Sequence, residues 1–381
     1  MNTVTLENLK NWRHYLHSHP ELSQKEFKTA EFIRSVLDEL NVEYETPLPT
    51  ATIAHIPGNG DRYIILRADI DALPINETNN ISYASENEGV MHACGHDAHA
   101  AMLLGAVKEL KHLSDEKKLN INVLAVFQPS EESFGGANIL INNYDFGKYN
   151  IDSAYALHVS PDFEEGNIVS RSGPIMASCN EFAVEIKGKS AHVGIRETGI
   201  NAMNAAVSAY TQIQAVPTYN LDCKHTNIIH IGYMKVGEVM NSVPENGYLE
   251  GTIRTYDMAD KEIIRQRISD ICRGIEISTG CKVDFTLRDG YPAVINSENL
   301  MDRVESAAEK TSAHFSLKKD PYLLGEDFSF FSRVCPVNYS FIGIRNSELG
   351  FTSGLHTSCL MMRDEALVHG VDFFVEIAKS F

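Results

Sequence analysis

The 381-residue sequence predicts an α/β protein with a second domain inserted into the first. Three observations carry this. Apolar strands alternate with helical segments through the first third of the chain. Polar, chemically capable side chains follow directly after those strands. The middle of the chain runs in the order βαββαβ, which is the ferredoxin-like pattern. A chain of this length also exceeds what one small core serves, and that favours two domains.

Taken in order, residues 6–40 have helical spacing, broken near Pro20. Residues 62–66, "RYIIL", read as a short strand before the polar turn "RADIDALP". Residues 97–113 read as an amphipathic helix with Asp97 as its N-cap. Residues 121–127, "INVLAVF", form a buried strand ending in "QPSEES", and residues 153–157, "SAYAL", form another ending at His158. In the middle, strands at 181–187, 227–234, 246–254 and 282–287 enclose helices at 199–216 and 259–278. Late in the chain, residues 339–344 are strand-like and 365–379 helix-like. Open α/β sheets build their sites at the carboxyl ends of strands. Asp69, Asp71, Glu131, Glu132 and His158 are therefore expected at one rim.

Composition narrows the function classes. A formal charge of −18 argues against nucleic acid, because phosphate binding needs a basic surface. No apolar run is long enough to span a bilayer, and the first residues lack the apolar core of a signal peptide. Seven cysteines, odd in number and widely spaced, do not read as a disulfide framework. The expected address is the cytoplasm, with no membrane partner.

The densest chemistry is "MHACGHDAHA", which holds His92, Cys94, His96 and His99. A cysteine before a helix start is favoured as the thiolate, the metal-binding form. The spacing is not that of a zinc finger, and no His-Glu-x-x-His stretch occurs. "PSEES" sets Glu131 beside Glu132, and adjacent residues at a strand end point different ways. One can hold a metal while the other faces a substrate. His158 ends an apolar strand, and His356 in "GLHTSC" precedes the last helix. Carboxylates with imidazoles suit manganese, zinc, nickel or cobalt. "GKSAHVG" is not a phosphate loop, because Ala183 stands where the loop needs glycine. No Gly-x-Ser-x-Gly elbow accompanies Ser190.

Together, "RADIDALPI", "MHACGHDAHAAMLLGAV", "FQPSEESFGGA", "ALHVSP", "GKSAHVG", "GTIRT" and "LHTSC" resemble the M20 metallopeptidase family. The likeness is to its amidohydrolase branch of hippurate hydrolases, aminoacylases and indoleacetyl-amino-acid hydrolases. It runs nearly end to end. The resemblance implies an aminopeptidase-like mixed-sheet catalytic domain, residues 1–178 and 291–381, with a ferredoxin-like lid or dimerisation domain at 179–290. It implies two divalent metal ions on Cys94, His96, Glu132, His158 and His356, with Cys94 bridging. Many relatives carry a His-x-Asp motif where this chain has Asp69-Ile70-Asp71. His96 would replace the lost ligand, and Asp71 would orient one. Glu131 would be the general base. His192, Arg254 and Asn241 would meet the substrate, and a homodimer would form through the inserted domain.

The implied reaction is hydrolysis of the amide of an N-acyl amino acid or short peptide. A dipeptidase or carboxypeptidase of the same fold is the nearest alternative. A thiol enzyme using Cys94 and a non-catalytic binding protein are the readings from other classes. His92 and His99 have no matching role, and neither do Glu326 and Asp327 in "GEDFSFF". His14, His17 and His19 are expected to pack or to cap a helix.

Overall fold

A computed structural model of the protein describes residues 3–381. The chain divides into two compact units. Among the described residues, one comprises residues 3–175, 295–320 and 327–381; the other comprises residues 176–294 and 321–326.

The first unit is built on an eight-stranded mixed sheet. Its strand order is Glu43–Glu45, Thr52–Ile56, Asn122–Gln128, Arg62–Asp69, Asn150–Glu164, Val337–Arg345, Asn167–Ser170 and His314–Leu317. The four strands from Asn122–Gln128 through Val337–Arg345 are mutually parallel. Strands buried on both faces read as continuous apolar runs, and Val123 to Phe127 are all fully buried. Register brings the strand ends level: Asp69 lies opposite Gln128, and Arg67 opposite Ala156, two residues before His158.

Three expectations are corrected here. The strand expected to stop at His158 continues to Glu164, because its parallel ladder with Val337–Arg345 extends through Ser160 and beyond. The helix expected to begin with Asp97 as its cap instead starts at His96, with Gly95 at the N-cap. Gly95 has φ +86°, and a Cβ there would sit 2.4 Å from Val159 Cγ2. Only glycine meets both demands. Nor is this helix, His96–Asp115, amphipathic over its length. Nearly every residue from His96 to Leu110 is buried, because Leu6–Ser18 and Ala366–Lys379 pack against it as well as the sheet.

The second unit is a four-stranded antiparallel sheet in the order Asn227–Val236, Asn246–Thr255, Cys179–Lys187, Lys282–Tyr291. Helices Ala202–Asn220 and Met258–Thr279 complete the βαββαβ pattern. Strand Cys179–Lys187 shows the period of two: Phe182, Val184 and Ile186 are buried, while Glu181, Glu185 and Lys187 are exposed. Helix Ala202–Asn220 is capped by Asn201, whose side chain accepts the Met203 N–H. Its buried face carries Ala202, Ala205, Ala206 and Ala209, small residues that let helix and sheet approach. Among the described residues no helix is long and apolar enough to cross a membrane.

Candidate metal centre

The site is assembled on the first unit, at the carboxyl ends of its parallel strands. The turn after Asp69 buries Asp71 completely. Asp71 Oδ1 accepts the Glu131 N–H at 3.1 Å, and its Oδ2 accepts the Glu132 N–H at 3.0 Å. The Ser23 hydroxyl donates to the same Oδ2 at 2.7 Å. One carboxylate thus holds the backbone of both glutamates. Ser130, just before them, has φ +61°, the left-handed region that costs a non-glycine residue energy. Glu26 holds it there. Its fully buried carboxylate accepts the Ser130 N–H and the Gln24 N–H, each at 2.9 Å.

Five donors then form a continuous chain. His158 Nε2 lies 3.5 Å from Cys94 Sγ, and His356 Nε2 lies 3.3 Å from that sulfur. His356 Nε2 is also 3.3 Å from Glu132 Oε1, which is 3.8 Å from His96 Nε2. His356 reaches this position through a backbone bond, its N–H donating to Ala93 O at 2.8 Å. Glu131 is buried beside His96 and Glu132, close enough for all three to share an ion.

Tautomers separate ligands from supports. His158 donates from Nδ1 to Val159 O at 2.7 Å, which leaves the Nε2 lone pair facing Cys94. His99 is committed differently. Its Nε2 accepts the Val159 N–H at 2.9 Å, so its Nδ1 carries the proton and donates to Asp69. Asp69, His96, His99 and His158 lie close enough to hold an ion. Yet His99 has no lone pair left to give, and Asp69 is held by Arg67 at 2.7 Å. We therefore read His99 and Asp69 as the frame behind the donors. Asp327 extends that frame, accepting from Arg67 at 2.8 Å, from Gln128 and from the Ala137 N–H.

The electrostatics fit a cation. Burial raises the Cys94 thiol well above its ordinary value, and the Glu132, Glu131 and Asp69 charges add to it. Burial lowers His96, but Asp69, Asp71 and Glu132 outweigh it and bring the ring to about 10. Burial would raise Asp69, yet the Arg67 guanidinium with His96 and His99 holds it well below the carboxylate range. Both His96 ring nitrogens and Glu132 Oε1 are buried without an aligned hydrogen bond. Buried polar atoms are rarely left so. A divalent ion supplies the positive charge that the carboxylates otherwise draw from a proton on His96.

His192, Asn241 and Arg254 belong to the second unit. His192 pairs with Ser242 in a short ladder, and the Val193 N–H donates to Asn241 O at 3.0 Å. The His192 ring is exposed. Its Nδ1 accepts the Gly194 N–H at 3.0 Å, so its Nε2 is the donor. Arg254 is half-buried on the strand Asn246–Thr255, opposite Ile228.

Sequence reasoning missed Glu26, Ser130, Arg67 and the framing role of His99 and Asp327. Glu26 stands in the "HPELSQKE" stretch, where only its burial marks it. His14 and His17 pack as expected, in a network with Arg13, Glu77, Asp97 and Asp364.

Fold and donor set together define an α/β scaffold with a candidate metal centre at the ends of its parallel strands. Residues 65–380 match the profile of peptidase family M20/M25/M40, and the chain belongs to that family. A protein from Staphylococcus saprophyticus described as an uncharacterized hydrolase is 42% identical over 376 residues, 99% of this chain and 98% of its own. The structure of the Bacillus subtilis YXEP protein, a dinuclear metal binding peptidase of family M20, superposes with a TM-score of 0.85 at 29% identity, covering 98% of each chain. A proposed aminohydrolase from methicillin-resistant Staphylococcus aureus gives 0.92 at 27% identity, covering 100% of this chain and 99% of the other.

Proposed function

We propose that this M20-family hydrolase is a metal-dependent N-acyl-amino-acid amidohydrolase that releases a carboxylic acid and a free amino acid. The observation that carries the reading is the pair Glu131–Glu132. One aspartate fixes both backbones, one glutamate joins the donor chain, and its neighbour is buried beside it. Cys94, His96, Glu132, His158 and His356 would hold two divalent ions. Manganese, zinc, nickel and cobalt all suit the set. Bound ions supply Lewis acidity toward water and the scissile carbonyl.

The chain's own residues do the rest. Glu131 takes a proton from the attacking water as the new C–O bond forms. It returns that proton to the amine nitrogen as the C–N bond breaks. His192 donates from Nε2 toward the oxygen where negative charge develops. Arg254 pairs with the free carboxylate of the amino-acid half, for which its planar fork is suited. Asn241 adds a further polar contact.

Burial and the surrounding carboxylates keep Cys94 protonated without metal, which disfavours a thiol nucleophile. The second unit would serve as lid and as dimer contact. Exposed Met203, Val207 and Tyr210 share one helix face, and Tyr233 and Met234 lie on the edge strand Asn227–Val236. Seven unpaired cysteines support a cytoplasmic address.

The deciding assay strips the protein with chelator and offers N-acetyl-methionine, hippurate and dipeptides, with and without manganese. Metal-restored release of methionine or glycine supports the reading. Turnover of dipeptides alone moves the enzyme to the dipeptidase class. Turnover that never needed metal removes the mechanism.

A further inference from the structure

A cleft of about 380 Å³ opens directly beside the donor chain, with Glu132 as part of its wall. Leu22, Ala72, Leu73, Pro74 and Phe134 give it apolar sides. Its volume falls within the range of small-molecule pockets, which are about 300–1,000 Å³. Backbone bonds fix the sides. Ala72 N–H donates to Glu21 O at 2.8 Å, and Leu73 and Met91 exchange two bonds at 3.0 Å. Gln24 N–H donates to Ser130 Oγ at 2.7 Å and ties one side to the glutamate turn.

Phe134 is the unusual member. It is 69% exposed, two residues from Glu132, and has φ +71°. A bulky aromatic residue held in the left-handed region and turned to solvent bears two costs at once. Neither is recovered by packing in the core. Both are accounted for if the ring closes over a bound apolar group.

We infer that this cleft receives the acyl chain of the substrate, and that Leu73 and Phe134 set the preferred chain length. The inference rests on the amidohydrolase reading and names the acyl class it takes. An acetyl group would leave most of the cleft to water, so the preferred acyl group is a longer aliphatic chain. Lys25 and Glu132 bring one charge of each sign to the wall, so the carboxylate of the amino-acid half meets no net positive charge there, whereas the apolar sides suit an acyl chain.

The test uses metal-loaded full-length protein and two substrate series. One varies the acyl group on methionine from acetyl to octanoyl; the other varies the amino acid under a fixed acetyl group. Wild type should favour octanoyl over acetyl at least about tenfold in kcat/KM. Leu73→Trp fills the cleft, and Phe134→Ala removes its exposed edge; each should reduce that ratio by about tenfold. Variants that alter the amino-acid series and leave the acyl ratio in place would overturn the inference, and so would a wild type indifferent to chain length.

Calorimetry with octanoate on the same protein reads the cleft without turnover. Octanoate binding that Leu73→Trp abolishes supports the cleft even if no N-acyl amino acid is hydrolysed, in which case the function alone has failed. Octanoate binding untouched by both variants refutes the cleft.

Discussion

Two clusters of histidines and carboxylates flank the start of helix His96–Asp115, and they differ in how they are satisfied. On one side Asp97 is gripped by Arg13 at 3.1 Å and by His17 at 2.9 Å, while His17 also reaches Glu77 at 3.1 Å. Arg13 goes on to Asp364 at 2.6 Å. Cations and anions interleave there, and Asp97 Oδ1 is the atom without a hydrogen bond. On the other side both His96 nitrogens lie among Asp69, Asp71 and Glu132 without an aligned hydrogen bond. The residue types are nearly the same. The first cluster is closed by its own arginine, whereas the donor chain is left short of positive charge. A structural cluster and a ligand cluster are told apart by that balance rather than by composition.

The comparison breaks most readily at Asp97. Asp97→Ala leaves Arg13 and His17 charged and buried, and the cost is about 3–5 kcal/mol of unfolding free energy. Urea titration measures it, and a loss under 1 kcal/mol would mean the cluster is not closed as described. The pH dependence comes next. Burial lowers His17, but Asp97 and Glu77 override it and raise the ring to about 9. Since the unfolded value is about 6.5, the charged ring stabilises the fold fully below that pH. Its contribution, on the order of 3 kcal/mol, fades as pH rises through about 9. Metal-free protein should therefore lose stability between pH 7 and 9.5, and His17→Gln should flatten that slope.

The donor chain is sharpened by two smaller effects. Glu131→Gln should lower kcat at least about 100-fold with metal content retained, whereas Glu132→Ala should lose metal. Metal analysis beside the kinetics separates them, and equal metal loss in both variants would sink the division of roles. Asp71→Asn should weaken metal affinity about 10–100-fold, because the aspartate orients His96 and the glutamate turn from behind. A competitive chelator titration reads that shift.

Much of this arrangement was legible in the sequence. The donors sit in short motifs that end strands or begin helices, and periodicity locates such positions. The frame was not legible, because its partners are far apart in the chain. Asp327 and Arg67 meet across 260 positions, and Glu26 and Ser130 across 104. No local pattern announces either pairing. The helix start was misplaced for a related reason. Asp97 looks like a cap by residue type, but its carboxylate is spent on Arg13 and His17, and Val159 leaves room only for glycine at position 95. The role of His99 needed both ring nitrogens to be traced.

The first unit is stitched from three separate stretches of chain, and that has a consequence during synthesis. Cys94, His96, Glu132 and His158 leave the ribosome well before His356, and strand Val337–Arg345 pairs with Asn150–Glu164 only when both exist. At about 5–20 residues per second, the wait between His158 and His356 is on the order of 10–40 s. For that interval the nascent chain exposes an unpaired strand edge and an incomplete donor set, while the inserted unit, whose four strands all lie between residues 179 and 291, has its whole sheet available to fold first.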